Sequence, residues 1–198
     1  MEFEPAEEIK VGNTEELLDL IRQTTTLNDF PIYERAEIGL KRFDAEGAFP
    51  IAKYVLEQRL AELTELEEKL QIHGLSIFDL DSVVEIGNVR MGPPVVEYSI
   101  DDAIPVIVDG LHRFYLAKES SLKINSLFIR NVHPDYPTIS LPIEWDELSV
   151  VKEMPEIVED RRKLREGIPN NEAVIRKYFR DFAFLGSSGR RTYLEQGG

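Results

Sequence analysis

Residues 104–119 read IPVIVDGLHRFYLAKE, an apolar run broken by Asp109-Gly110 and followed at once by helical spacing. The pattern predicts a strand over Ile104–Val108, a tight turn, and a helix from Leu111 to about Ser120. A further strand is expected over Ile124–Asn131. Strand, helix and strand together form a βαβ-like unit, right-handed if its strands are parallel. Upstream, Ala52, Val55, Leu56, Leu60, Leu63, Leu66 and Leu70 recur at three- and four-residue spacing. That stripe predicts one helix over 51–72, lying on a sheet and stopped by His73-Gly74. Asn13, three residues ahead of Glu16, resembles a capping box and opens a helix through LLDLI to about Gln23.

Between these elements the pattern is weaker. Partial alternation over Ile32–Phe43 suggests a strand, with a turn over Asp44–Pro50. Another strand is expected around Val83-Val84. Two glycines and two prolines make GNVRMGPP, residues 87–94, a loop. Val95–Tyr98 reads as a short strand and Asp101-Asp102 as a turn. After His133 the chain is irregular, and helical signals resume at Asp146–Glu153, Glu156–Arg165 and Glu172–Ala183. Residues 1–12 and the segment Gly186-Ser-Ser-Gly-Arg-Arg read as loose. The expected division is 1–30 (an N-terminal helix and arm), 31–135 (an α+β core) and 136–198 (a helical extension with a basic tail).

Composition narrows the function classes. A hydrophobic content of 42% in 198 residues supports a real core. No apolar run approaches the roughly 20 residues that cross a bilayer. The acidic start, MEFEPAEEIK, lacks the apolar stretch of a secretory signal. A cytoplasmic protein with no membrane partner is therefore expected. The absence of cysteine excludes disulfides, thiolate metal sites and cysteine nucleophiles. His73 and His133 have no ligand partner at metal-site spacing, so no metal site is assigned. The net charge of −14 disfavours binding to a nucleic-acid backbone. Residues 161–198 nevertheless hold nine Lys/Arg against four Asp/Glu. That basic tail can pack on the acidic body or help hold an anion.

The turn at Asp109–Arg113 concentrates the candidate chemistry. The first N–H groups of a helix lack internal partners and sit at the positive end of its dipole, which suits a phosphate. Gly110 permits close approach and a positive φ. Arg113 offers a planar charged fork for phosphate, or a salt bridge. His112 is either a phosphate contact and general acid or a packed ring fixing the turn. Asp109 is either a base or Mg²⁺ contact, or a helix cap. Arg90 could reach a second anion. Glu34 and Glu37 are the candidates for a second carboxylate, but their spacing by three does not favour one face of a strand and reads better as solvated surface charge. Trp145 reads as a packing anchor.

The DGLHR turn and its flanking elements resemble the signature of the ParB/sulfiredoxin superfamily, in which a strand leads through a Gly-x-His-Arg or Asp-Gly-His-His-Arg turn into a helix and another strand. The resemblance is densest over residues 93–132, and His73 to Leu75 echoes an upstream helix end. It implies an α+β fold: a small mixed sheet with surrounding helices, here with the C-terminal helical extension. It also implies a turn that holds nucleotide phosphates. Sulfiredoxins bind ATP and use a cysteine, which this chain lacks. ParB proteins bind and hydrolyse CTP, and bind DNA through an added helix-turn-helix domain. Free-serine kinases carry a DGHHR-like turn. Asp109, Gly110, His112 and Arg113 match it, with Leu111 in place of the first His. On this resemblance the ligand is a nucleotide or phosphorylated small molecule (ATP, ADP or CTP with Mg²⁺), held by Gly110, Leu111, His112, Arg113 and Arg90. Asp109 and His112 are the catalytic candidates for phosphoryl transfer or nucleotide hydrolysis. A non-catalytic regulatory module and a DNA-associated factor are the alternatives, and a homodimer is compatible with either.

Overall fold

The computed structural model describes residues 8–98, 104–155, 161–169 and 171–186. The expected Asp101-Asp102 turn, the first half of the expected Glu156–Arg165 helix and the tail beyond Gly186 lie outside them; in the second half of that segment the chain is not helical after Arg161, and Leu164 bridges Ser140. In chain order the elements are β1 (Ile9–Val11), α1 (Thr14–Arg22), β2 (Glu37–Asp44), β3 (Phe49–Pro50), β4 (Tyr54–Leu56) and α2 (Glu57–Ile72). Then come β5 (Val84–Ile86), β6 (Val89–Met91), β7 (Val95–Tyr98), β8 (Pro105–Asp109), α3 (Leu111–Glu119), β9 (Lys123–Arg130), β10 (Ser149–Val151) and α4 (Glu172–Tyr178).

The centre is a five-stranded mixed sheet in the order β2-β9-β7-β8-β3. Strands β2 and β9 are antiparallel over eight residue pairs, β9 and β7 parallel, β7 and β8 antiparallel, and β8 and β3 parallel. β7 lies between β8 and β9, antiparallel to the first and parallel to the second, so β8 and β9 run in opposite directions and the βαβ-like unit is not a parallel one. The parallel partner of β9 is β7. A hairpin sheet β1-β5-β6 and a parallel pair β4-β10 flank the centre.

Alternation along the strands sends side chains to two cores. Phe43, Val96, Ile107 and Ile124 face Leu63, Leu66 and Leu70 of α2 and Phe114 and Ala117 of α3. Val95, Val106, Val108, Leu127 and Ile129 face Leu17 and Ile21 of α1, with Ile32, Tyr33, Phe182 and Leu185. Trp145 packs on the first core and donates its indole N–H to the Ala48 carbonyl at 3.1 Å, as a packing anchor should.

Local signals fix the helix ends. The Asn13 side chain accepts from the Glu15 N–H at 2.7 Å and starts α1. At the end of α2, Gly74 has φ 73 and donates to the Gln71 carbonyl at 3.0 Å, while Leu75 donates to Leu70 at 3.0 Å. This double bond is the Schellman arrangement.

Several expectations fail where tertiary pairing overrides local pattern. The 51–72 helix begins only at Glu57, because Tyr54–Leu56 pairs with Ser149–Val151. The same pairing makes part of the expected 146–153 helix a strand, preceded by a 3-10 turn over Trp145–Glu147. Ile9–Val11, expected to be loose, pairs with β5. The Gly87 side of GNVRMGPP is a hairpin turn, not open loop, with Val89–Met91 paired to β5. The Ile32–Phe43 strand starts later, at Glu37, and runs on to Asp44. Of the expected 172–183 helix, the part after Tyr178 is irregular, with a 3-10 turn at Ala183–Leu185. The 136–186 segment therefore carries less helix than expected, and its Phe182 and Leu185 are buried in the second core.

Candidate functional site at the convergence of two helix starts

The β8–α3 turn sits at the edge of the first core. Between Val95 and Val96 the β7–β8 register shifts, so Val95 pairs with Asp109 and Val96 with Ile107. A bulge of this kind bends the strand and re-aims the residue after it; here that residue is Asp109. Gly110 follows as the N-cap of α3 with φ 83. A Cβ on Gly110 would stand 2.6 Å from the Pro94 Cβ. Both the left-handed backbone and the close approach therefore require glycine.

Arg113 is only 5% exposed, and its Nη1 donates to the Gly92 carbonyl at 2.5 Å. It is thus neither a surface salt bridge nor an open phosphate fork: it ties α3 to the 92–94 segment that packs under Gly110. Burial lowers its pKa to about 10, with Arg59 adding to the shift and Asp109 opposing it. Leu111, at the position of the first His in the kinase-like turn, packs on the first core.

His112 makes the less expected connection. Its Nε2 accepts the N–H of Leu56 at 2.9 Å, and Leu56 is the N-cap of α2. Accepting at Nε2 leaves the ring proton on Nδ1. Burial, then the nearby Arg59 guanidinium, lower the His112 pKa to about 4, against the pull of Asp109 and Glu62. At neutral pH the ring is therefore uncharged, a hydrogen-bond donor at Nδ1 and a poor source of a transferable proton.

The His112–Leu56 bond draws together the starts of α2 and α3. Neither cap residue supplies a side-chain acceptor, and the first turn of α3 contains no acid, although that of α2 contains Glu57. Arg59, half-exposed, stands in the same region and bonds Glu62 Oε2 at 2.8 Å. Sequence reading missed both Arg59 and Glu62, because each looks like ordinary surface charge on α2.

The other expected site residues lie elsewhere. Arg90 is on β6, exposed, with Nε 3.6 Å from Glu85. Glu37 pairs across the ladder with Arg130. Asp109 is level with Val95, Leu127 and, through β2, Leu40. Three strand spacings and three residues of rise put the Glu37 and Asp109 backbones roughly 17 Å apart. Glu34 lies before β2 starts, beyond Glu37. Neither glutamate reaches the turn; the carboxylates that influence His112 are Asp109 and Glu62. Among the described residues no group of three or more His, Asp or Glu could hold a metal ion, and no helix is long and apolar enough to cross a membrane.

A second feature escaped the sequence reading altogether. Glu97 of β7 is 1% exposed and Arg180 3% exposed. Arg180 donates from Nε to Glu97 Oε1 at 2.6 Å and from Nη2 to Oε2 at 2.9 Å. Thr138 donates to Oε2 at 2.5 Å, Tyr33 donates to Oε1, and Arg180 also bonds the Tyr136 and Tyr178 carbonyls. Burial alone would raise the Glu97 pKa, but Arg180 and the two hydroxyl donors outweigh it and hold the carboxyl below its ordinary value. The one available signal was a lone Glu inside the apolar VVEY strand.

A mixed sheet with a strand–glycine–helix turn, helices α2 and α3 on one face and α1 on the other, defines a ParB-like α+β domain. The family model described as the ParB CE domain matches residues 16–150, more than half of the chain, and the protein belongs to that family. No curated protein and no solved structure gives a significant match. The matched region holds Tyr33, Glu97, Asp109–Arg113 and Thr138 but not Arg180, so the buried network joins the family domain to the segment that follows it.

Proposed function

We propose that this ParB CE domain protein binds a nucleotide or other phosphorylated small molecule where α2 and α3 begin. The observation that carries the reading is the 2.9 Å bond from the Leu56 N–H to His112 Nε2. It gathers two uncapped sets of helix N–H groups and two positive dipole ends in one place. Arg59 supplies an accessible cation beside them. Buried Arg113 supports the turn from behind, adding a positive field without touching the ligand. The Nδ1–H of His112 is a further donor. With no acidic cluster among the described residues to cage a metal, Mg²⁺ would enter chiefly on the nucleotide's own phosphates.

Calorimetric titration with ATP, ADP and CTP, with and without Mg²⁺, tests this reading. Binding of at least one is expected, weakened about tenfold by Arg59→Gln, the loss of one charged contact. Absence of heat with all three would overturn it.

Two observations favour binding without turnover as the second reading. Glu34 and Glu37 are too distant to serve as a second carboxylate, and His112 is neutral at working pH. Nucleotide binding with no release of phosphate would support that module; phosphate release lost in Asp109→Asn would favour a phosphotransferase or hydrolase. The DNA-associated alternative draws little support, since Arg180 and Lys163 of the basic tail are bonded to Glu97 and Glu147.

A further inference from the structure

At the opposite end of the central sheet from Asp109 lies a cleft of about 1020 Å³. Its lining includes Phe30, Arg35, Tyr98, Arg130, Asn131 and His133. The volume is at the upper end for small-molecule sites.

Three observations describe its chemistry. Aromatic surfaces are held in place: Phe30 stacks on Tyr136 with centroids 4.0 Å apart, and the guanidinium of Arg130 lies 4.4 Å from the Tyr98 ring centroid. The Lys41 ammonium donates to the Tyr98 hydroxyl at 2.9 Å, adding a third positive group beside the cleft. Second, among the described residues neither Arg35 nor Arg130 forms an ion pair, although Glu37 sits directly across the ladder from Arg130 and Glu34 also lines the cleft. In a chain with 37 acidic and 23 basic side chains, two arginines against the single Glu34 give the cleft lining a net positive charge, the reverse of the chain as a whole. Third, Asn131 holds φ 57 where β9 gives way to the cleft wall, a conformation that costs free energy and concentrates at ligand sites.

We propose that this cleft binds a small planar aromatic anion. The ring would stack on Phe30 or on the outer face of the Arg130 guanidinium, and the anionic group would meet Arg35 and Arg130. Charge range selects a small ligand over a nucleic-acid strand. Screening confines the cleft's positive field to about 8 Å at physiological salt. A compact anion feels that field, whereas a long polyanion must also cross a surface dominated by the −14 net charge.

The test is amide chemical-shift mapping on the full chain with phenyl phosphate, inorganic phosphate and benzyl alcohol as probes. Phenyl phosphate should shift the amides of Ile32–Arg35 and Arg130–His133, and the other two probes should not. Arg35→Gln and Arg130→Gln should each weaken the phenyl phosphate shifts at these cleft amides about tenfold or more. Failure of the nucleotide reading would show instead as silent amides at Leu56 and Leu111–Arg113 on titration with ATP, ADP and CTP. Equal shifts with inorganic phosphate, insensitivity to both cleft variants, or shifts only with a single-stranded oligonucleotide would each overturn the proposal.

Discussion

Arg180 grips Glu97 through two parallel hydrogen bonds, of 2.6 and 2.9 Å, in a place where neither side chain reaches solvent. Planar fork to planar carboxylate is the strongest geometry this pair can adopt. Every oxygen of the carboxylate has a donor, which is the condition under which a buried charge is tolerated. Arg180→Met should therefore destabilise the fold by about 3–5 kcal/mol, the cost of leaving the Glu97 charge buried and uncompensated. Urea unfolding measures it. The double variant Glu97→Leu with Arg180→Met should recover part of that loss, and a single-variant effect below about 1 kcal/mol would refute the role.

His112 gives a pH prediction. Its pKa in the folded protein is about 4, below the ordinary 6.5, so between these values the unfolded chain binds the proton that the native ring refuses. Its contribution is fully present above pH 6.5 and is lost as pH falls through that window towards 4, by at most about 3 kcal/mol. His112→Phe should flatten this limb of the stability profile. It should also cost about 1–3 kcal/mol at neutral pH by leaving the Leu56 N–H without its acceptor. Urea midpoints at pH 7.5 and 5 give both quantities, and an unchanged slope in the variant would contradict the assignment.

Two glycines with similar backbones should respond differently. Gly74 has φ 73 and open space around it, while Gly110 has φ 83 with Pro94 2.6 Å from where a Cβ would stand. Gly74→Ala should cost about 1–2 kcal/mol, the left-handed penalty alone. Gly110→Ala should cost more, because Pro94 belongs to the segment anchored by Arg113 and by the Leu127 N–H to Pro94 carbonyl bond of 2.8 Å. Equal melting shifts for the two variants would show that the close approach is unimportant.

Arg59 and Arg113 separate binding from folding. Arg113→Ala should lower stability by about 1–3 kcal/mol, since it strips the Gly92 carbonyl of a buried donor. Arg59→Gln changes a half-exposed side chain and should alter stability by no more than about 0.5 kcal/mol. Thermal melts beside nucleotide titrations check the contrast; selective loss of binding without destabilisation in Arg113→Ala would mean that this arginine reaches the ligand after all.

What the sequence determined by itself was local. Backbone demands and short-range periodicity are written into neighbouring residues, so the Asn13 cap, the His73-Gly74 stop, the strand leading into Asp109-Gly110 and the helix after it were all legible. The family was legible from the same turn. The tertiary structure decided whatever depends on residues distant in the chain. Sheet pairing converted Tyr54–Leu56 and Ser149–Val151 from helical pattern to strand. Burial withdrew the Arg113 fork from solvent and left the accessible charge to Arg59. Chain folding brought Leu56 to His112 across 56 positions and Arg180 to Glu97 across 83. Hydrogen bonds and desolvation act through space, and a charged residue's spacing along the chain does not reveal whether its partner will be water, a carbonyl or a carboxylate.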